Sequence, residues 1–505
     1  MKIFRKPTLK YILEHTTNDS TSLKKSLNWF NIAILATSTS VGAGIFSVGA
    51  QIINQIAGPA AIISFAIAGA ICFLAALCYA EFAYKIPVAG ASYTFAYATI
   101  GEIVAWVLSW SLLLGLMMAI STELKAWCTY LYETVAIFGI DWHTIHVTLF
   151  GFGLGVDLPI LIGGVIFGGV LIYSTKAVAK VANVLTVIKL VILVVIIVTG
   201  AIYFKAANMH PFFLPKAASH ASESFFGVVL GVKDGVGGFG GVLSGAAVAT
   251  FAFLGFDTAT TASEETENPR RNMPLGLIVG ILVIIVIYIA IALVSAGMVN
   301  HQQIADYLAA HPTQQLSLVT GFKVVGAQGG VLAALIGHFV AIGIFIGLTG
   351  ITMVGLMGIS RTIFAVSRDG LLPKRFGKTG GPHKTPIFAT VVGTIGVILC
   401  ASFGSTAQLA EITCMATLSA FTIVSFAIPV LRKNKEFAHY HNDGFKVPWS
   451  PVLPIIAGLA CIWLMGNLSF HNWIITALWA VAGVVVYFVY GYRHSLLGKN
   501  PDMQQ

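Results

Sequence analysis

Long apolar runs separated by short polar stretches recur along the whole chain. Each run holds about 17–25 residues with few charges, the length that crosses the hydrocarbon core of a bilayer as an α-helix. We therefore predict an all-α integral membrane protein with twelve transmembrane helices. The predicted spans lie at roughly 29–53, 60–84, 97–122, 158–174, 181–204, 240–263, 275–298, 329–359, 386–404, 408–431, 451–469 and 472–492.

The polar stretches divide the chain into six predicted parts. These are a cytoplasmic N-terminal arm (1–27), a first five-helix repeat (28–204), an extracytoplasmic loop (205–239), a second five-helix repeat (240–431), helices eleven and twelve (432–492) and a cytoplasmic tail (493–505). A second long loop on the outer side is predicted at about 123–157, and both long loops leave room for short surface helices.

Composition supports a membrane rather than a soluble protein. Charged residues make up 10% of the chain and hydrophobic residues 57%, whereas soluble globular proteins carry roughly 25% charged residues. So few charges do not cover a water-exposed surface of this size, and we expect membrane lipid to surround the protein.

The net charge of +9 arises from basic residues that cluster on one side of the predicted membrane. Of 29 Lys and Arg, 23 lie in the two terminal segments and in alternate loops, five lie in the other loops, and Lys189 lies within a span. This is the positive-inside pattern, which puts both termini in the cytoplasm. We expect the protein to lie in the cytoplasmic (inner) membrane. No nucleic-acid motif accompanies the charge, so we predict no nucleic-acid partner.

Nucleotide and metal chemistry have no support in the sequence. Gly377-Lys378-Thr379 resembles the end of a phosphate-binding loop, but Leu372 stands where the required earlier glycine would fall. The six cysteines lie in or beside apolar runs without ligand spacing. We predict no nucleotide, no cofactor, no metal and no catalytic residues.

The first span contains a weak point in the stretch VGAGIF at 41–46. Gly42 and Gly44 destabilise a helix there, and small polar residues precede them at 38–40. Backbone groups freed inside a membrane are tolerated where they line a cavity or a ligand. The alternative is close helix packing through small residues.

The sixth span contains a matching weak point in FLGFD at 253–257. Gly255 interrupts the apolar run, and Asp257 is an intramembrane acid, which usually faces a cavity or a partner. The alternative is a structural carboxylate that caps a half-helix. Interrupted helices at corresponding places in two halves are typical of inverted-repeat transporters with a binding site near the membrane midplane. A zwitterionic amino acid fits opposed half-helix ends, whereas a channel or a receptor-like sensor is the competing interpretation.

Lys189 lies about two turns inside the fifth span. A lysine at that depth costs roughly 2.5–3.5 kcal/mol on insertion scales, unless it extends to the interface. We predict that its amine points at the first span and carries the coupling proton, because a buried lysine changes its protonation state readily. The snorkelling alternative makes it an interface anchor.

Two sets of charged residues flank the spans. Glu81 and Lys85 end the second span and are interpreted as interface anchors. The loop after the sixth span carries a mixed cluster, which we predict to cap and gate through cytoplasmic salt bridges. Its members are Glu264, Glu265, Glu267, Arg270 and Arg271.

At these residues the sequence resembles the amino acid–polyamine–organocation superfamily, in the branch of bacterial permeases similar to cationic amino acid transporters. The resemblance covers about residues 22–492. It is carried by VGAGIF at 41–46, LCYAEFAYKIPVAGASYTFAYATIGE at 77–102, VIKL at 187–190, FAFLGFDTATTASEETENPRRNMPLG at 251–276 and SRTIFAVSRDGLLPK at 360–374.

The resemblance implies a LeuT-type fold of five plus five helices with two added helices. It also implies a substrate held by the backbone of the first and sixth spans, with an aromatic closing over it (Phe251 or Phe256), and proton coupling through Lys189. The implied substrate-binding residues are Thr39, Ser40, Gly42, Ala43, Gly44, Ile45, Phe251, Ala252 and Leu254.

The sequence departs from this family in the third span. Relatives often carry a glutamate after a tryptophan, in a W-N-L-I-L-E pattern, but here Trp110 is followed four residues later by leucine and then by Gly115. Glu123 lies two turns further on, which we interpret as too far to replace the missing partner of Lys189.

The function expected from these residues and from the resemblance is secondary active transport of L-amino acids by alternating access, without enzymatic activity. The coupling ion is expected to be the proton. An amino acid exchanger and a transporter of arginine or lysine are the alternatives, with a weak preference for neutral substrates.

Overall fold

The structure is a computed structural model, and helices make up most of it. It describes residues 5–6, 8, 26–86, 91–139, 146–147, 156–215, 224–230, 237–312, 314–368, 370–380, 385–434 and 444–499. Within these ranges, a two-residue antiparallel pair joins His146–Val147 to Val156–Asp157.

Eighteen helical segments, labelled here in chain order, carry the fold. They are α1 (Trp29–Ser40), α2 (Gly44–Ile56), α3 (Ala61–Lys85), α4 (Ala91–Thr99), α5 (Glu102–Ala136), α6 (Leu158–Tyr173), α7 (Thr175–Ile202), α8 (Phe225–Leu230), α9 (Gly238–Phe253), α10 (Pro269–Met298), α11 (His301–Ala310), α12 (Thr320–Ala327), α13 (Val331–Arg368), α14 (Ile387–Phe403), α15 (Thr406–Lys433), α16 (Val452–Gly466), α17 (Phe470–Val486) and the 3₁₀ helix Phe256–Glu265 between α9 and α10.

Many of these helices are long and apolar enough to cross a membrane. In the described residues eight helices meet this condition, or nine when α1 and α2 are taken as one bent span. Three shorter apolar helices, α6, α14 and α16, lie within the predicted fourth, ninth and eleventh spans. The protein is therefore a multi-pass membrane protein, and its twelve-span count stays a prediction.

The outer face of α7 shows how the fold meets lipid. Val187, Val191 and Val194 follow one helical stripe and are 62%, 51% and 60% exposed, whereas Ile192 and Leu193 on the other face are buried. A continuous exposed apolar face of this kind needs a covering of lipid or protein. Every third or fourth position of α7 thus faces out, and the opposite face supplies the core.

The third span is longer than its apolar run predicted. Helix α5 continues through Ala136, so Glu123 lies inside a helix and not in the predicted outer loop. The predicted span ended at 122, and charged residues follow at 123 and 125. The helix continues because the polar groups at this point have partners: Ser121 donates to the Val397 carbonyl at 3.0 Å, and Lys125 donates to that of Ala401 at 3.1 Å.

Both predicted helix interruptions are present. Helix α1 ends at Ser40, and the chain resumes as α2 from Gly44 at an angle of 50°. Helix α9 ends at Phe253; Leu254 is extended, and Gly255 adopts a φ of 106° before the 3₁₀ helix begins. Residues of both breaks belong to one cluster of buried side chains.

Candidate functional site

The two helix breaks lie against each other. A Cβ atom on Gly44 would lie 2.5 Å from the Cα of Ala252, and one on Gly255 would lie 2.6 Å from the carbonyl oxygen of Thr39. Backbone stands at both positions, so no side chain can move to make room. The glycines are therefore required by this close approach, and Gly255 also by its positive φ.

Hydrogen bonds fix the end of α1 where the helix stops. The Thr39 hydroxyl donates to the carbonyl of Gly255 at 2.8 Å, across to the other break. The Tyr288 hydroxyl, from α10, donates to the carbonyl of Ser40 at 2.8 Å. The bond from Tyr288 satisfies a carbonyl at the end of α1, and the bond from Thr39 joins the two breaks.

Lys189 lies against the same helix end. Its amine donates to the carbonyls of Ser38 and Val41, each at 2.8 Å, and the residue is 3% exposed. Gly347 of α13 leaves space for its stem, because a Cβ there would lie 2.5 Å from the Lys189 Cγ. The amine thus points at the first span and does not extend to the interface, while its predicted coupling role stays a prediction.

Glu123 lies at the break itself, where its carboxylate binds backbone; within the described residues it forms no salt bridge with Lys189. Its two carboxylate oxygens accept a hydrogen bond from the Ala43 amide at 2.9 and 3.0 Å, and the residue is 6% exposed. The misplacement came from ending the third span at 122, when α5 carries this side chain across the break. Tyr130, two turns later on the same face of α5, donates to the carbonyl of Phe46 at 2.7 Å. Glu123 was the functional candidate that the sequence interpretation missed.

The position expected for a family glutamate serves helix packing here. A Cβ on Gly115 would lie 2.7 Å from the Cβ of Ala416 on α15. A glutamate at 115 would collide with α15 in this arrangement. The carboxylate close to the break is supplied eight residues later on the same helix.

The two aromatic candidates for a gate have different surroundings. Phe256 is fully buried, and its ring centroid lies 5.9 Å from that of Tyr79 and 5.2 Å from that of Phe421. Phe251 is 4% exposed, one turn before the break in α9. Both side chains are buried, and both gate roles remain predictions.

The charged candidates after the sixth-span break lie beyond the site. Asp257 lies in the first turn of the 3₁₀ helix, near the amides of Gly255 and Thr258, which favours the capping interpretation. Glu265 acts through its backbone: its carbonyl accepts from the amides of Ser26 and Leu27 at 2.9 and 3.1 Å, which ties the start of the first span to the end of the sixth.

The remaining members of that cluster are only partly described. The Glu264 side chain falls outside the described residues. Arg270 is exposed, at the start of α10. Their predicted gating through salt bridges stays a prediction.

Glu81 takes part in a separate cluster near the end of α3. Arg432 of α15 donates to both Glu81 oxygens at 2.8 and 2.7 Å, and the Val447 amide donates to the same carboxylate at 2.7 Å. Arg432 also donates to the Val447 carbonyl at 3.0 Å. This cluster, here called the Glu81 clamp, joins α3, α15 and the segment before α16. The predicted anchoring of Glu81 and Lys85 at the membrane interface stays a prediction.

The groups gathered at the breaks can bind a small polar solute. Three or more His, Cys, Asp or Glu side chains do not come together at metal-binding distances anywhere in the described ranges. At the crossing of the breaks, backbone carbonyls and amides converge with one lysine and one glutamate.

A family model described as amino acid permease matches residues 27–495. The chain belongs to this family. The permease is thus a member of the superfamily that its motifs resembled.

Relatives of the permease are named as transporters of three kinds of solute. It is 34% identical to the methylthioribose transporter of Bacillus subtilis (strain 168), over 98% of its own chain and 99% of the relative's. It is 33% identical to the branched-chain amino acid permease BcaP of the same organism, with the same coverage. It is 30% identical to the vacuolar cationic amino acid transporter 4 of Arabidopsis thaliana, over 81% of its own chain and 64% of the relative's. These names agree on membrane transport and differ in the solute.

Proposed function

We propose that this permease is a secondary active transporter that moves L-amino acids across the cytoplasmic membrane by alternating access. The observation that carries the proposal is the contact between the two helix breaks, where Gly44 meets Ala252 and Gly255 meets Thr39. Unwound backbone in a membrane core is tolerated where it lines a ligand site. Paired broken helices also let the two halves move around a fixed central site.

In this proposal the substrate binds mainly to backbone. Its carboxylate meets amides around Gly42, Ala43 and Gly44, while its ammonium meets carbonyls around Thr39 and Ser40 and those around Phe251, Ala252 and Leu254. Ile45 lines the same turn, and Phe251 closes over the bound molecule. The positive and negative ends of half-helices favour this orientation of a zwitterion.

The proposed architecture completes the span count. The apolar helices α6, α14 and α16 are 16, 17 and 15 residues long, close to the lower limit for a spanning helix of about 17 residues. Adding them to the nine other spans gives twelve helices, arranged as two inverted five-helix repeats and two further helices. Both termini then face the cytoplasm, in agreement with the positive-inside distribution.

Proton coupling is proposed through Lys189. Its amine binds two carbonyls at the end of α1, so a change in its charge changes how firmly that end is held. A protonated amine stabilises the present arrangement of the break, and a neutral amine weakens it. Exchange without net coupling is the alternative for this residue.

Cationic amino acids are the second candidate substrates, because Glu123 places a buried carboxylate at the break. Methylthioribose belongs in any substrate screen, since one relative is named a methylthioribose transporter.

The decisive experiment is uptake by the purified protein in liposomes, with each L-amino acid and with methylthioribose, at inside and outside pH values set independently. Accumulation of one or more amino acids, increased by an inward proton gradient, supports the proposal. Uptake of methylthioribose alone would contradict it.

A further inference from the structure

The Ala43 amide already binds a carboxylate that belongs to the protein. Both oxygens of Glu123 lie within 3.0 Å of this nitrogen, and the side chain is buried. Gly42 makes the approach possible, because a Cβ there would lie 2.9 Å from the Glu123 carboxyl carbon. The space beside Gly42 and Ala43 thus accommodates a carboxylate, and the Glu123 side chain of α5 occupies it.

Lys189 provides the complementary half of the arrangement. Its ammonium donates hydrogen bonds to the carbonyls of Ser38 and Val41 at the end of α1. Glu123 accepts a hydrogen bond from the Ala43 amide, two residues further along the chain. A carboxylate on an amide and an ammonium on carbonyls is also how a zwitterionic amino acid would bind. The protein's own side chains therefore reproduce the charge pattern of the proposed substrate.

We propose that Glu123 is a specificity-determining residue that competes with the substrate carboxylate for the Ala43 amide. This inference rests on the proposed function and deepens it. A substrate with a carboxylate has to displace Glu123, whereas a solute without one leaves Glu123 in place. The balance between amino acids and uncharged or purely cationic solutes is then set by a side chain of α5.

The expected direction of the effect follows from the strength of the bond. A charged acceptor binds an amide roughly twice as strongly as a neutral one. Removing the charge of Glu123 therefore makes the amide easier to occupy, and a carboxylate-bearing ligand binds more tightly. The ionisable side chains near Glu123 in the described residues are Lys189 and Tyr288, and both remain in the variants described next.

The test compares ligands that differ only in the carboxylate. Purified wild type, Glu123→Gln and Glu123→Asp are titrated with the twenty L-amino acids and with the carboxamide of each one that binds, and dissociation constants are obtained from the shift in thermal unfolding. The aspartate is one methylene shorter and loses contact with the amide, so it provides a second route if the glutamine variant is unstable. Glu133→Gln is the control: Glu133 lies on the same helix, is equally buried, and pairs with Lys323 away from the break.

We expect both Glu123 variants to bind the amino acid about tenfold more tightly relative to its carboxamide, and Glu133→Gln to leave this ratio unchanged. A ratio that stays at the wild-type value in both Glu123 variants, or that shifts equally in the control, overturns the assignment while leaving amino acid binding established. If no amino acid alters the unfolding of any of these proteins, the proposed function fails and the role of Glu123 fails with it.

Discussion

The Glu81 clamp and the helix breaks both hold buried charges, and they differ in what the charges bind. In the Glu81 clamp, the fully buried carboxylate of Glu81 accepts two hydrogen bonds from the guanidinium of Arg432. It accepts a third from the backbone amide of Val447. At the helix breaks, Glu123 and Lys189 bind backbone groups that the interruption has freed. Ionic partners hold the first cluster, and backbone partners that a substrate can also use hold the second.

Under the proposed function, this difference separates a structural cluster from a substrate-binding one. A buried ion pair is strongly destabilised when one member is removed, because the other charge is left without compensation. A side chain that binds a freed amide or carbonyl can be replaced by a ligand with the same groups. The comparison predicts that variants of the clamp change stability, and that variants at the breaks change binding and coupling.

Among the charged residues of these two clusters, the largest effect is expected on stability, at the clamp. Glu81→Gln removes the charge that compensates Arg432, and we expect a loss of about 2–3 kcal/mol in the free energy of unfolding, below the full value for a buried pair because the Arg432 side chain is 28% exposed. Thermal unfolding and substrate affinity are measured on the same sample. The matched control is Glu411→Gln, since that carboxylate accepts from neutral groups, Ser469 and Asn472. A clamp variant with normal stability and weakened binding would reverse the comparison.

The next effect is on coupling, at Lys189. In Lys189→Ala, uptake should no longer respond to a pH gradient, while exchange of substrate across the membrane continues. Lys189→Arg should also lose coupling, because arginine keeps its charge. Uptake is measured in liposomes with inside and outside pH set independently. Lys125→Arg serves as control, since that amine donates to the Ala401 carbonyl away from the breaks. Normal pH-driven accumulation by Lys189→Arg would exclude a coupling role.

The smallest effect is expected at Phe251. Phe251→Ala should release bound substrate faster, by several-fold, with a modest cost in stability, because an aromatic beside a break can close the site. Phe253→Ala is the comparison on the same helix: Phe253 is fully buried against Tyr288, with ring centroids 5.3 Å apart, and should lose about 3–5 kcal/mol of stability. Dissociation rates and unfolding midpoints measured for both variants check this. Equal stability losses with unchanged release would make Phe251 a core residue.

Local sequence was sufficient to predict the breaks, because the signals were local. Two glycines at 42 and 44, and Gly255 within an apolar run, weaken a helix wherever it lies in the fold. The inward direction of Lys189 was also predictable, since a lysine at that depth has few other options. Family membership followed from the motifs around these residues.

The role of Glu123 was not predictable in the same way. Its contact with Ala43 depends on where α5 crosses the first span, which no local pattern records. The polar residues at 121–123 looked like the end of a span, because their partners on α14 and at the break are distant in sequence. The available signal was a glutamate directly after the predicted end of the third span. Extending that span by four turns, to the observed end of α5, would have placed Glu123 inside the membrane.

The central claim, that substrate binds where the two breaks meet, is tested most directly by adding one methyl group there. Gly44→Ala places a Cβ 2.5 Å from the Cα of Ala252, so the two breaks have to move apart. The larger side chain of Gly44→Val would separate them further. Gly169→Ala is the matched control, because a Cβ at that position of α6 meets nothing within 4 Å. Equilibrium binding of the transported amino acid to the purified, folded variants is the measurement. The account predicts that Gly44→Ala loses affinity by at least about tenfold and that Gly169→Ala keeps it; wild-type affinity in a well-folded Gly44→Ala protein would contradict it.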